Sequence, residues 1–232
     1  MSRPGGAPPA QRRGRSAEGR AEVRRDLVDA AVTLFSERGY DETTVDDIAA
    51  AAGVGRRTFF RYFRGKEDAV SPDHEACLAR VEAVFTGAHP SEPVLSLVLR
   101  AGETVFDLYF GDADVARKRF RLTHEVPALR DREVASVDRY RRLFTRQLRE
   151  RLADVPDGEL RAAVIAAAVV AAHNQALRRW LADGATAAGV ESCRARFRRV
   201  ADLLPVEAAD ELSEVARRLE DAVGRLERSA PS

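Results

Sequence analysis

Residues Thr43 to Lys66, TTVDDIAAAAGVGRRTFFRYFRGK, constrain this chain more than any other stretch, because they fit two short helices joined at a glycine corner. Thr43 or Thr44 offers a hydroxyl to cap free amides at a helix start, and Asp46 and Asp47 fall in the first turn, where the helix dipole favours anions. Val45, Ile48, Ala49 and Ala52 recur at i, i+3, i+4 and i+7, an apolar stripe on one side. Gly53 is the residue best suited to the left-handed backbone that ends a helix; Val54 plugs the corner and Gly55 lets the chain turn closely into the next helix. At about 100° per residue, Arg56, Arg57, Phe60 and Arg61 share one half of that second helix, and Thr58, Phe59, Tyr62 and Phe63 share the other. Phe59 and Phe63 are therefore core anchors, and Arg56, Arg57 and Arg61 point away from the core.

Between Gly55 and Lys66 the charged residues are Arg56, Arg57, Arg61, Arg64 and Lys66, with no acid among them. Acids are common elsewhere, and the whole chain carries a net charge of only +1, so local clustering rather than overall basicity points to nucleic acid. Two short helices with a glycine turn, the second cationic and rigidly docked, is the layout of a DNA-binding helix-turn-helix. The plainer alternative is a solvated basic face on a helical hairpin.

The stretch from about Val23 to Val70 resembles the DNA-binding domain of the TetR family of bacterial transcriptional regulators. The residues that carry the resemblance are LFSERGYDETTVDDIAAAAGVGRRTFFRYFRGKEDAV. In that family an aliphatic helix ends in F-x-x-x-G-Y/F, followed by T-T-V-x-x-I-A-x-x-A-G-V and a recognition helix closing in F-x-x-K-E/D. The form GRRTFFRYF is similar in particular to an actinobacterial branch that includes mycofactocin-system regulators, associated with acyl-CoA sensing.

The resemblance implies an all-α protein: a helix-turn-helix domain at about 19–66, after a basic arm at 1–18, and a larger helical effector-binding and dimerisation domain at 67–232. It implies a cytoplasmic homodimer, most commonly a repressor, that binds an inverted-repeat operator in double-stranded DNA and is released by a small molecule. Arg56, Arg57 and Arg61 are the candidates for base edges, with guanine their favoured partner. Thr44, Tyr62, Lys66 and Arg64 are the candidates for phosphates, Lys66 standing at a helix start where free amides add to its charge. Thr58 lies in the same recognition helix. Phe60 stands where the family usually has tyrosine, so a phenol contact to phosphate is lost and contact with thymine methyl groups is expected in its place. The effector, an acyl-CoA or another hydrophobic compound, is expected among Phe106, Tyr109, Phe110, Phe120, His124, Phe144, His173, Asn174 and Trp180. Each of these also reads as ordinary core packing.

The rest of the chain agrees with one soluble helical body. Cys77 and Cys193 are far apart and give no metal spacing, so they read as reduced thiols. No uninterrupted apolar run reaches about 18 residues, which predicts neither secretion nor a membrane span. Residues 1–18, rich in Pro, Gly and Arg, are expected to be disordered, serving either as a minor-groove arm or as a solubilising tail. A helix near 21–38 ends at Gly39, and Tyr40 is expected to pack back or to touch phosphate. Pro72 interrupts the helix beginning at Lys66. Beyond it the breaks predict helices near 74–87, 92–110, 112–125, 127–153, 157–183, 188–204 and 206–228.

In the 159–182 stretch, alanines and β-branched residues cover nearly the whole circumference between Ala162 and Ala172. Such a helix needs cover on most sides, which points to a partner chain. Helices near 157–183 and 188–204 are therefore expected at a homodimer interface, with an ordinary core helix as the alternative. An enzyme would need a nucleophile with its base, a phosphate loop or a metal spacing, and none is legible. The remaining rival is a helical ligand-binding or scaffold protein that does not bind DNA specifically.

Overall fold

The computed structural model describes residues 16–204, and all of its regular elements are helices. The basic arm, up to residue 15, and the expected helix at 206–228 lie outside the described residues. The helices are α1 (Ala17–Arg38), α2 (Val45–Ala51), α3 (Arg56–Phe59), α4 (Lys66–Val70), α5 (His74–Thr86), α6 (Val94–Phe110), α7 (Ala113–Glu125), α8 (Pro127–Arg151), α9 (Gly158–Ala182), α10 (Val190–Arg198) and α11 (Val200–Leu203). Two expectations change. The first helix begins four residues early because the Ser16 side chain accepts from the Gly19 amide and caps it. The helix expected over 188–204 is divided at Arg199 into α10 and α11.

The described residues form two compact units. The first joins 16–76 with 107–139 and 180–189; the second joins 77–106 with 140–179 and 190–204. In the first unit, α1 supplies Val23, Leu27, Ala31, Val32 and Phe35 to a core that takes Ile48 and Ala49 from α2, Phe59 from α3 and Phe63 just beyond it. Ala69 and Val70 of α4, Leu122 of α7 and Leu129 of α8 complete the same core. The helix-turn-helix is thus supported well beyond residue 66.

Pro72 acts as its chemistry requires. A residue before proline avoids helical backbone, and Ser71 is extended at φ −72°, ψ 138°, which ends α4. The Asp73 carboxylate then accepts from the Ala76 amide at 3.1 Å and starts α5.

The second unit is built on α9, whose Ala162, Ile165, Ala166, Val169, His173, Ala176 and Leu177 are buried. By length and composition this helix could also cross a membrane, with a mean hydropathy of 1.4. Its other side stays open: Leu160 and Val164 are 66% and 52% exposed, and Ala167 and Ala171 continue the same stripe.

Candidate nucleic-acid interface

The α2–α3 pair begins with a complete capping box. Thr44 Oγ1 accepts from the Asp47 amide at 3.2 Å, and Asp47 Oδ2 accepts from the Thr44 amide at 2.9 Å and from its hydroxyl at 2.5 Å. These bonds from Thr44 hold the Asp47 carboxyl below its ordinary range. Of the two threonines, Thr44 is therefore the cap. Thr43 is buried and donates to the Gly39 carbonyl at 2.8 Å, which fixes the preceding loop. Gly53 takes φ +66°, the left-handed corner that no β-branched residue would hold, and the Val54 amide returns to the Ala49 carbonyl at 2.9 Å.

The recognition segment is one α-helical turn, Arg56–Phe59, tightened past its end by hydrogen bonds from Arg61 N to Thr58 O, from Tyr62 N to Phe59 O and from Phe63 N to Phe59 O. Phe59 and Phe63 are buried with ring centroids 5.4 Å apart, which locks the segment to the core. Arg56, Arg57, Arg61 and Arg64 are exposed, Thr58 is half-buried and Phe60 is 46% exposed. The guanidinium groups of Arg57, Arg61 and Arg64 have no ion-pair or hydrogen-bond partner among the described residues. Arg56 differs: its Nη1 donates to Asp46 Oδ2 at 2.8 Å, and its guanidinium carbon lies 5.2 Å from the Phe60 ring centroid.

Two expected phosphate contacts are placed elsewhere. Lys66 Nζ donates to the carbonyls of Tyr40 at 2.6 Å and Thr43 at 3.0 Å, and lies 4.1 Å from the Tyr40 ring centroid. An ammonium has three N–H donors, so this one is committed to holding the loop between α1 and α2. Tyr40 packs back against Phe35, centroids 5.0 Å apart. The buried Tyr62 hydroxyl has no hydrogen-bond partner among the described residues and faces the protein interior. It lines a cavity of about 290 Å³ together with Arg24, Arg64, Asp68, His74, Arg132 and Arg139. Sequence spacing could reveal neither placement, because Lys66 reaches back 26 residues and the walls of the cavity come from three separate segments.

The nine residues expected around an effector are divided between the two units. Tyr109, Phe110, Phe120, His124 and Trp180 belong to the first unit, and Phe106, Phe144, His173 and Asn174 to the second. Phe110 packs edge-on against Trp180 at 4.8 Å, and Trp180 Nε1 donates to the Thr186 carbonyl at 2.9 Å. The exposed His124 ring lies on Phe120, its Nδ1 2.8 Å from that residue's carbonyl. In the second unit His173 stacks on Phe106 at 4.0 Å, and Phe197 meets Phe106 edge-on. Burial lowers the His173 pKa to about 4, so the ring is neutral, and its Nε2 has no hydrogen-bond partner among the described residues. Phe144 packs against Phe85, centroids 5.4 Å apart. Phe85 and Phe197 were missed in the sequence, because an aromatic at helical spacing does not announce which ring it meets.

A rigid cationic turn, docked through two phenylalanines behind a glycine corner, defines a helix-turn-helix module. Residues 27–70 match the family model for bacterial regulatory proteins of the tetR family, and residues 92–205 match that of the MftR C-terminal domain. The chain belongs to the TetR family of bacterial regulatory proteins.

The chain is 34% identical over 104 residues to the putative mycofactocin biosynthesis transcriptional regulator MftR of Mycobacterium tuberculosis, covering 44% of this chain and 52% of that one. It is 42% identical over 72 residues to the HTH-type transcriptional regulator TcmR of Streptomyces glaucescens, covering 29% and 32%. The matched stretches therefore span about half and a third of these relatives. Among solved structures, a putative TetR-family regulator from Syntrophomonas wolfei superposes with TM-score 0.56 at 19% identity, over 78% of this chain and 96% of that one. FadR of Bacillus subtilis, solved with stearoyl-CoA, gives TM-score 0.52 at 20% identity over 76% and 96%. FadR of Thermus thermophilus, solved with lauroyl-CoA, gives 0.50 at 20% identity over 78% and 92%. At these identities the structures establish the fold.

Proposed function

We propose that this chain is a ligand-responsive transcriptional regulator, acting as a repressor, that grips an inverted-repeat DNA operator as a homodimer in the cytoplasm. The observation that carries this reading is the exposed set of Arg57, Arg61 and Arg64, whose guanidinium groups have no partner among the described residues, on a segment locked to the core by Phe59 and Phe63. Charges left without protein partners are available to phosphates and guanine edges, and a docked segment presents them without the cost of ordering its backbone. Thr44 stands at the adjoining helix start, and Thr58 and Phe60 lie beside the arginines, Phe60 open to thymine methyl groups. Tyr62 and Lys66 support this surface from behind; for either to reach a phosphate it would have to leave its present position.

The open stripe of Leu160, Val164, Ala167 and Ala171 supports pairing of two chains through α9, with α10 beside it. Pairing would bring two recognition segments to successive major grooves, and operators for such dimers are inverted repeats. The effector is an acyl-CoA or a compound of similar apolar character. The match to the MftR C-terminal domain and the acyl-CoA ligands of the two FadR proteins support this class. Its acyl chain would lie among the aromatic side chains of the C-terminal helices, and only a difference in its affinity for the two states can release DNA.

The test is selection of duplexes from fragmented genomic DNA at stated salt, with and without added long-chain acyl-CoA. Recovery of an inverted repeat, lost on adding the thioester, is the expected result. A folded dimer that enriches no sequence would overturn the regulator reading, and enrichment indifferent to acyl-CoA would overturn the effector class alone.

A further inference from the structure

Asp46 is the only carboxylate paired with a guanidinium of the recognition surface among the described residues, and its place in the first turn of α2, where the helix dipole favours an anion, is only a modest reason for folding to keep it there. The pair it makes with Arg56 is 59% and 64% exposed on its two sides, where an ion pair contributes little to stability. Capping of α2 is already performed by Thr44 and Asp47. Against DNA a carboxylate is a liability, because it faces phosphates and cancels an adjacent cation.

What Asp46 does supply is direction. It takes one guanidinium nitrogen, Nη1, while Phe60 one turn along lies against the group at 5.2 Å. A guanidinium carries five N–H donors in a planar fork, and a single-nitrogen contact leaves the Nε–Nη2 edge unpartnered. That edge is the one that can meet O6 and N7 of guanine with two parallel bonds. We infer that Asp46 is a positioning residue for base reading: by holding Arg56 against Phe60 it aims the free guanidinium edge at a guanine and dulls the attraction of Arg56 for backbone phosphate. This rests on the DNA-binding reading. It divides the arginines by task, Arg56 for sequence and the unpaired Arg57, Arg61 and Arg64 for grip.

The experiment is selection from a randomised duplex pool with sequencing, run on wild type, Arg56→Gln, Asp46→Asn and Asp46→Glu, alongside binding to random DNA over a salt series. Arg56→Gln should identify one guanine per half-site as its contact. Asp46→Asn should weaken the preference at that same position by about threefold to tenfold, a part of what a bidentate contact contributes. It should leave the other positions unchanged while binding random DNA more tightly, with a salt slope steeper by about 0.9 per freed cation. Asp46→Glu, which keeps the charge, should retain the preference within about twofold.

An Asp46→Asn profile identical to wild type would overturn the inference. So would a loss spread evenly over the site with a lower melting temperature, which marks only a role at the start of α2. If wild type enriches no sequence, the DNA-binding reading falls and this inference with it; if wild type enriches a motif that Asp46→Asn leaves intact, only this inference falls.

Discussion

Two groups of arginines in the first unit do opposite things. On the recognition surface Arg57, Arg61 and Arg64 stand exposed with no partner among the described residues. Around the link between α4 and α5, three arginines each meet an acid: Arg24 with Asp73 at 3.6 Å, Arg139 with Glu75 at 2.9 Å, and Arg132 in close contact with Asp68. The difference teaches where function lies in a chain whose net charge is +1. Counting cations finds both groups; asking which are left unanswered finds the surface with something still to bind.

The comparison breaks most sharply if the unpaired group is removed. Arg57→Ala with Arg61→Ala should lower operator affinity by at least about 100-fold, since each charge-assisted contact to phosphate is worth roughly 1.5–3 kcal/mol. It should move urea-unfolding stability by no more than about 0.5 kcal/mol, as expected of exposed positions. An unfolding midpoint that moves with the affinity would erase the distinction.

Acid should act through the buried histidines, one of them in the paired region, and spare the recognition surface. Burial, together with Arg139 and Arg119, lowers the His74 pKa from 6.5 to about 4, against the opposing pull of Asp73, and Glu133 lies 3.9 Å away. Between those values the unfolded chain binds a proton that the folded one refuses, so stability falls as pH drops from 6.5 towards 4. The loss is on the order of 3 kcal/mol for His74, with a similar amount from buried His173. His74→Gln should flatten the slope by about half, measured by unfolding across that range. Arginines keep their charge throughout, so DNA affinity of the still-folded protein should change far less.

Breaking a pair gives a smaller effect. Arg132→Ala leaves Asp68, 16% exposed, without its guanidinium, and should cost about 1–3 kcal/mol in unfolding experiments. The direct DNA contacts are untouched, so affinity at saturating fold should hold within about twofold. Lys66→Met should cost least, about 1 kcal/mol, by releasing the carbonyls of Tyr40 and Thr43. A salt slope reduced by about 0.9 in that variant would instead mark Lys66 as a phosphate ligand, and would move it into the unpaired group.

The helix ends, the glycine corner and the inward face of α3 were legible because they depend on residues within one or two turns. Phe59 and Phe63 fall inward by the same periodicity that puts Arg57 and Arg61 outward. What the sequence hid was reach. Arg139 and Glu75 are 64 residues apart, and Lys66 meets Tyr40 across 26. Tyr62 was assigned to the correct half of its helix, yet that face leads to a cavity rather than to solvent. The aromatic candidates of the C-terminal region were found individually, but their division between two units depends on which helices pack together, and composition does not carry that.

Gly102 has a consequence of a different kind. A Cβ built there would lie 2.5 Å from Cζ of Phe197, so the bare backbone of α6 is what lets a ring of α10 settle flush beside Phe106 and His173. One methyl group at residue 102 would force the Phe197 ring to shift. Because that ring meets both Phe106 and His173, a single carbon on α6 is a chemical dial on how closely α10 seats against α6 and α9.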